Sequence, residues 1–190
     1  RGSESFIRDR FHAYLPLLRN HERVVDIGCG RGELLDVLRG AGISAVGVDI
    51  DEAMVKRCLA KGLTVELLDG VAYLSRQRDD SVPAIVAAQV VEHLSYKELL
   101  TFLELARTKL KAGGQLIFET VNPHALEAFK TFWTDPTHHS PIFPEVAIAL
   151  SWLHGFDQAY VFFPHGTGDL ELDRMTQGEY AVVVTKARQD

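Results

Sequence analysis

Cysteine, methionine and tryptophan each occur only twice in these 190 residues. Cys29 and Cys58 have neither the spacing of a zinc site nor the density of a disulfide scaffold, so a reducing cytoplasm is the default location. No apolar run approaches the roughly 18 residues of a membrane-spanning helix. The first residues lack the basic-then-apolar pattern of a secretory signal. Net charge is −6 and no block of lysine or arginine occurs, so neither nucleic acid nor an anionic membrane is expected as a partner. Internal repeats and low-complexity segments are absent too. What is present, 46% hydrophobic and 24% charged residues, fits a single globular domain over 1–190 with a sizeable core.

The chain is organised around Val24-Val25-Asp26-Ile27-Gly28-Cys29-Gly30-Arg31-Gly32-Glu33-Leu34-Leu35. A short apolar run carrying one acid meets three alternate glycines and then an amphipathic run. This is the pattern of a buried parallel strand, a tight turn and the first turn of a helix. Glycine there permits positive φ and lets a ligand lie close against the backbone. Exposed amides and the helix N-terminus would favour electron-rich groups. The next strand ends in Asp49, nineteen positions after Gly30, where an acid accepts from the ribose hydroxyls of a nucleoside cofactor. A dinucleotide fingerprint would need glycine where Glu33 stands. A glycine turn with no ligand would leave Asp26 and Asp49 unexplained.

Periodicity predicts a helix over 3–18, within an N-terminal helical region 1–20, and strands over 23–27, 44–49, 63–68, 83–88 and 115–120. Helices are expected over 32–40, 51–60, 71–76 and 99–110, the last ended by Gly113-Gly114. A helix over 144–153 precedes two β-rich runs, 156–163 and 179–186, joined by a glycine-rich loop at 166–168 and read as an antiparallel pair. Alternating strands and helices imply an α/β fold: a Rossmann-like, doubly wound, seven-stranded sheet, mostly parallel with an antiparallel last strand.

Asp26-x-Gly28-x-Gly30-x-Gly32 followed by Asp49 resembles the first motif and ribose-binding acid of the class I S-adenosylmethionine-dependent methyltransferases. The resemblance implies S-adenosyl-L-methionine as cofactor. The backbone of Gly28, Cys29 and Gly30 would face its methionine part, Asp49 its ribose and Ile50 its adenine face. Asp69, followed by Gly70, is similar in position to the acid that reads the adenine amino group; it also reads as a helix cap.

After the fourth strand, Gln89-Val90-Val91-Glu92-His93 resembles the segment of ubiquinone-biosynthesis-type and sugar O-methyltransferases that lies near the methyl acceptor. On one helical turn Gln89, Glu92 and His93 would share a face. Glu92 and His93 are candidate ligands for Mg²⁺ or another divalent cation; otherwise they hydrogen-bond each other or the acceptor. The stretch 122–145 contains Phe132-Trp133-Thr134-Asp135-Pro136-Thr137-His138-His139, too apolar for a plain connector, and long loops of this kind carry acceptor sites. Together with Glu119-Thr120-Val121-Asn122-Pro123 and Arg1-Gly2-Ser3-Glu4 it resembles bacterial methyltransferases of polysaccharide and glycolipid gene sets.

That resemblance implies O-methylation of a saccharide or a glycolipid/polysaccharide precursor. His138 would be the base with Asp135 orienting it, and His93 paired with Glu92 is the second candidate. Phe132, Trp133 and Phe143 would form a platform for a sugar face or anchor the loop. The alternatives are a quinone-type O-methyltransferase with a small-molecule acceptor, and a non-catalytic module that binds S-adenosylmethionine. Whether the chain is a monomer or a homodimer is left open.

Overall fold

A computed structural model describes residues 2–187; Arg1, part of the Arg1-Gly2-Ser3-Glu4 match, and residues 188–190 lie outside the described residues. The strands are β1 Arg23–Ile27, β2 Ser44–Asp49, β3 Val65–Leu67, β4 Val82–Ala88, β5 Leu110–Val121, β6 Gln158–Phe162 and β7 Glu179–Thr185. They form one sheet in the order β3-β2-β1-β4-β5-β7-β6. β1 to β5 run parallel, and β7 runs antiparallel to both its neighbours. The helices are α1 Glu4–Phe11, α2 Leu15–Leu18, α3 Glu33–Gly40, α4 Glu52–Ala60, α5 Gly70–Arg76, α6 Tyr96–Lys109, α7 Leu126–Phe132, α8 Pro144–Leu153 and α9 Leu170–Thr176. Among the described residues no helix is long and apolar enough to cross a membrane.

Alternation along each strand explains the layers. Val24, Ala84, Val86 and Ile117 face one core with Tyr14, Leu18, Leu34 and Leu38. Val25, Ile85, Leu116 and Phe118 face the other, with Phe102 and Leu103 of α6. All seven residues of β4 are buried, as a central parallel strand covered on both faces requires.

Several elements differ from the sequence reading. The single helix over 3–18 is broken into α1, a 3₁₀ turn His12–Tyr14 and α2, because Pro16 has no N–H for the bond a continuous helix would need. α6 starts earlier, on a capping box in which Ser95 and Glu98 exchange side-chain and backbone bonds. It ends at Lys109, and Gly113-Gly114 belongs to β5 instead. A Cβ on Gly114 would lie 2.8 Å from the Lys111 carbonyl oxygen and 3.0 Å from that of Pro83. The glycine therefore serves the close approach of β4 and β5 where their register shifts. α7 lies within the expected acceptor loop, and α9 lies between β6 and β7. The turn before α9 is closed by Asp173, whose buried carboxylate accepts from the Thr167 and Gly168 amides at 2.7 and 3.0 Å. Those bonds, the Thr167 amide first, hold the carboxyl below its ordinary range.

Candidate active site

The sheet's carboxyl edge collects the expected residues, as an open α/β sheet should. Between β1 and α3, Gly28, Gly30 and Gly32 have φ of +69°, +53° and +81°. A Cβ on Gly28 would also lie 2.5 Å from Val90 Cγ2, so any other residue there is strained and displaces Val90. The amides of Gly28 and Cys29 donate to the Val48 carbonyl at 2.8 and 3.2 Å, and that of Gly32 to the Cys29 carbonyl at 2.9 Å. The Gly30 amide donates to Asp49 Oδ2 at 2.7 Å. This corrects the expectation of exposed amides: the four donors are spent within the fold, three of them tying the loop to β2. A pyrophosphate would need such donors, whereas a cationic sulfonium and ammonium do not.

Asp49 Oδ1 accepts from the Asp51 amide at 2.8 Å, and each carboxylate oxygen keeps a further lone pair for a ribose hydroxyl. Beside it Ile50 is 74% exposed, an apolar surface suited to an adenine face. Asp69 is the expected cap, accepting from the Ala72 amide at 2.9 Å, and its carboxylate stays exposed at the rim. Gly70 is needed for packing, since a Cβ there would meet Ile27 Cγ2 at 2.4 Å.

A cleft of about 310 Å³ lies next to the glycine loop, lined among others by Asp26, Gly28, Glu92, His93, Asp135 and His138. Asp49, Ile50, Asp69 and Gly70 stand outside its lining, along the ends of β2 and β3. Gln89 does not share a helical face with Glu92 and His93, because its φ of +57° places it before a 3₁₀ turn, Val91–His93. Its amide and Nε2 both reach Glu119, at the carbonyl oxygen (2.8 Å) and Oε1 (3.1 Å).

Glu92 is buried and accepts from Thr120 Oγ1 at 3.0 Å, while its carbonyl accepts from the His139 amide at 2.9 Å. The acceptor loop is thus stapled over the end of β4. His138 Nδ1 donates to the Phe132 carbonyl at 2.8 Å, and its ring lies 4.7 Å from that of His93. Asp135 was expected to orient His138, but its Oδ2 stands 3.8 Å from His138 Nε2, beyond hydrogen-bond reach. Asp135 bonds Thr137 instead, at 2.6 Å to the hydroxyl and 2.9 Å to the amide. These bonds, the hydroxyl first, hold its carboxyl below the usual range. Thr137 Oγ1 is in turn 2.9 Å from His93 Nδ1. Phe132 is buried against the His138 ring, so it anchors the loop. Trp133 remains exposed, and Phe143 packs against His124.

His138 joins the two expected metal candidates: one ligand atom each from Glu92, His93 and His138 lies within 4.8 Å of the others. One carboxylate and two imidazoles suit Mn²⁺, Fe²⁺ or Zn²⁺ better than Mg²⁺, which prefers oxygen and its own waters.

A family model described as a methyltransferase domain matches residues 2–157. A SAM-dependent methyltransferase from Archaeoglobus fulgidus superposes with a TM-score of 0.89 at 30% identity, over 98% of this chain and 96% of that one. The chain belongs to the S-adenosylmethionine-dependent methyltransferases. The fold alone is shared with a possible histamine N-methyltransferase from Thermotoga maritima, at a TM-score of 0.72 and 21% identity over 96% of this chain and 90% of that one. Similar curated proteins are ubiquinone biosynthesis O-methyltransferases. The human mitochondrial one is 31% identical over 133 residues, 62% of this chain and 35% of its own length. That of Nitrosococcus oceani is 28% identical over 118 residues, 57% of this chain and 49% of its own length. The chain therefore spans about a third to a half of the length of these two relatives. Their names refer to ubiquinone, so the expected saccharide acceptor gains no support from them.

This methyltransferase has a second polar group on the cleft, of which the sequence marked only Glu119, in the polar stretch after the fifth strand, and none of its partners. Glu119, at the end of β5, is buried and accepts from the Tyr14 hydroxyl. Arg10 of α1 forks onto both carboxylate oxygens of Glu179, and its Nε donates to His165 Nε2 at 3.1 Å. Arg10, Glu119 and Glu179 all line the cleft. Burial pushes the Glu119 carboxyl above its ordinary value, with the Tyr14 bond pulling the other way. A raised carboxyl contributes stability that is complete below the unfolded value of about 4.3 and is lost as pH rises through the folded value. Glu119→Gln removes that loss. Thermal melts across pH 4 to 8 should show the variant gaining on the wild type as pH rises, and parallel curves would refute the assignment.

Proposed function

We propose that this methyltransferase moves the methyl group of S-adenosylmethionine to a hydroxyl of a small organic acceptor, of phenol or quinol type. The observation that carries this reading is the Glu92–His93–His138 cluster facing the cleft beside the glycine loop. The names of the curated relatives favour a quinone-type acceptor over the saccharide suggested by the loop motif. S-adenosylmethionine, when bound, supplies a methyl group already activated on a sulfonium, which leaves the protein alignment and proton removal. Asp49 accepts from the ribose, Ile50 covers the adenine and Asp69 receives its amino group. Asp26, buried and on the cleft, favours the cofactor's positive charge, whereas the neighbouring Glu33 is paired with Arg31 at 2.6 Å. Phe6, Ile7 and Phe11 of α1 give the cleft an apolar wall.

A phenolic hydroxyl, with an ordinary value near 10, gives its proton to an imidazole far more readily than a sugar hydroxyl does. The His93–His138 pair takes that proton. A divalent cation on the Glu92–His93–His138 set would occupy the same imidazole lone pairs, and would then acidify the hydroxyl in place of the histidine base.

Calorimetric titration with S-adenosylmethionine, S-adenosylhomocysteine and NAD, followed by labelled methyl transfer to catechol-type and saccharide acceptors with and without EDTA, tests the proposal. Binding of the first two ligands and methylation of a catechol are expected. Binding of NAD alone would overturn the functional reading, and methylation of saccharides alone would overturn the acceptor class. Loss of turnover in EDTA, restored by Mn²⁺ or Zn²⁺, would establish the cation; unaffected turnover would leave the imidazoles acting alone.

A further inference from the structure

We propose that His165 is a proton-operated latch on the cover of the cleft: as a neutral imidazole it holds Arg10, and with it α1, in place, and as an imidazolium it lets go. The direction of one hydrogen bond carries the inference. Arg10 Nε lies 3.1 Å from His165 Nε2. A guanidinium only donates and keeps its charge in proteins, so the ring nitrogen is the acceptor. An accepting Nε2 bears no proton, which makes His165 a neutral imidazole with its N–H on Nδ1. Protonation puts a hydrogen on Nε2, and the bond becomes two donors and two cations face to face.

The bond matters because of where Arg10 stands. The other two nitrogens of its fork go to Glu179 of β7, and both residues line the cleft. Phe6, Ile7 and Phe11 of the same helix line it too. No residue of α1 is buried, so its side-chain ties add to the packing of Phe11 in fixing it. At the far end Glu4 is tied to Arg57 and Lys61, and the Lys61 bond holds its carboxyl below the ordinary value, so that end stays ionised at mildly acid pH. His165 is exposed, and its protonation follows the solution. Partial burial, then the Arg10 charge, holds its imidazole below the ordinary 6.5, while Glu179 pulls the other way. Glu119 and Tyr14 act on Arg10 from behind. On its own side of the cleft, Asp173 is committed to the Thr167 and Gly168 amides and Asp169 to those of Glu171 and Leu172. With the closed-state value depressed, the latch is fully set above the ordinary value and is lost as pH falls through the closed-state one.

Hydrogen exchange of the whole chain, read by mass spectrometry and corrected for the intrinsic effect of pH, tests the latch directly. From pH 7.5 to pH 5 the amides of α1 should open about threefold more often in the wild type, the scale of one hydrogen bond lost. Those of α6, whose Phe102 and Leu103 lie in the core, serve as the reference. His165→Gln offers Arg10 an amide oxygen that takes no proton, so its α1 should stay closed throughout. His165→Lys carries its cation at every pH in this range, and at pH 7.5 its α1 should open as the wild type does at pH 5. His165 stands exposed in a loop, so both variants should fold. An equal response to pH in the wild type and His165→Gln, or a closed α1 in His165→Lys at pH 7.5, would overturn the proposal. Calorimetric affinity for S-adenosylhomocysteine should fall by a similar factor at pH 5 in the wild type more than in His165→Gln, and equal falls would overturn the link between latch and cleft. That second measurement rests on the functional reading. The exchange needs no ligand, so a protein that bound none would sink that reading while α1 still answered for His165.

Discussion

His93→Ala is expected to slow methyl transfer by about 10²-fold or more while S-adenosylmethionine binds as before, since that is the scale of a positioned general base. The residues assigned to the nucleoside lie at the ends of β2 and β3, outside the lining of the cleft to which His93 belongs. Cofactor affinity and turnover should therefore separate. Single-turnover rates with saturating cofactor, set beside calorimetric affinity, make the comparison, and retained turnover would remove His93 from the chemistry. His138→Ala provides the contrast. Its ring is 4.7 Å away and its Nδ1 is held by a neutral carbonyl, so a smaller loss is expected if proton transfer alone is at stake. Equal losses, both matched by EDTA, would mean that the two imidazoles act through one shared cation.

Asp49→Ala is expected to weaken S-adenosylmethionine binding by about 10²-fold. Hydrogen bonds to a charged group contribute roughly 1.5–3 kcal/mol each, and in the proposed binding mode two ribose hydroxyls would take this carboxylate as their acceptor. A second effect adds to it. Asp49 Oδ2 also holds the Gly30 amide at 2.7 Å, so its removal loosens the glycine loop itself. Asp49→Asn keeps one carbonyl oxygen and should fall between the alanine variant and the wild type. Calorimetry reads all three, and unchanged affinity in Asp49→Ala would place the ribose elsewhere.

The parallel half of the fold was legible because its signals are local. Strand runs, glycine stops and caps such as Asp51 and Asp69 lie within a few residues of what they control. The family followed from Asp26-x-Gly28-x-Gly30-x-Gly32 and Asp49 for the same reason. α9 was hidden because its cap, Asp169, follows a glycine-rich turn that reads as a plain loop, and the Asp173 carboxylate that closes the turn reads as one more surface acid. Gly113-Gly114 misled because a pair of glycines marks a helix stop and a strand irregularity equally well.

The site was legible residue by residue but not in its pairings. Asp135 and His138 share one loop, so sequence joined them, whereas the structure bonds Asp135 to Thr137 and Thr137 to a histidine 44 positions earlier. Tyr14–Glu119 and Arg10–Glu179 span 105 and 169 positions, and no periodicity reports such contacts.

The two sides of the cleft are made by different forces. Its floor is the sheet edge, held by apolar burial that salt does not screen. Its cover is α1, none of whose eight residues is buried. The cover is tied down at one end by Glu4 to Arg57 and Lys61, and at the other by Arg10 to Glu179. Ionic attraction between partly exposed groups decays over about 8 Å at physiological salt and faster above it. The enclosure is therefore an apolar cup under a cover that adds ion pairs to the packing of Phe11, and a change of buffer that leaves the cup intact slackens those ties.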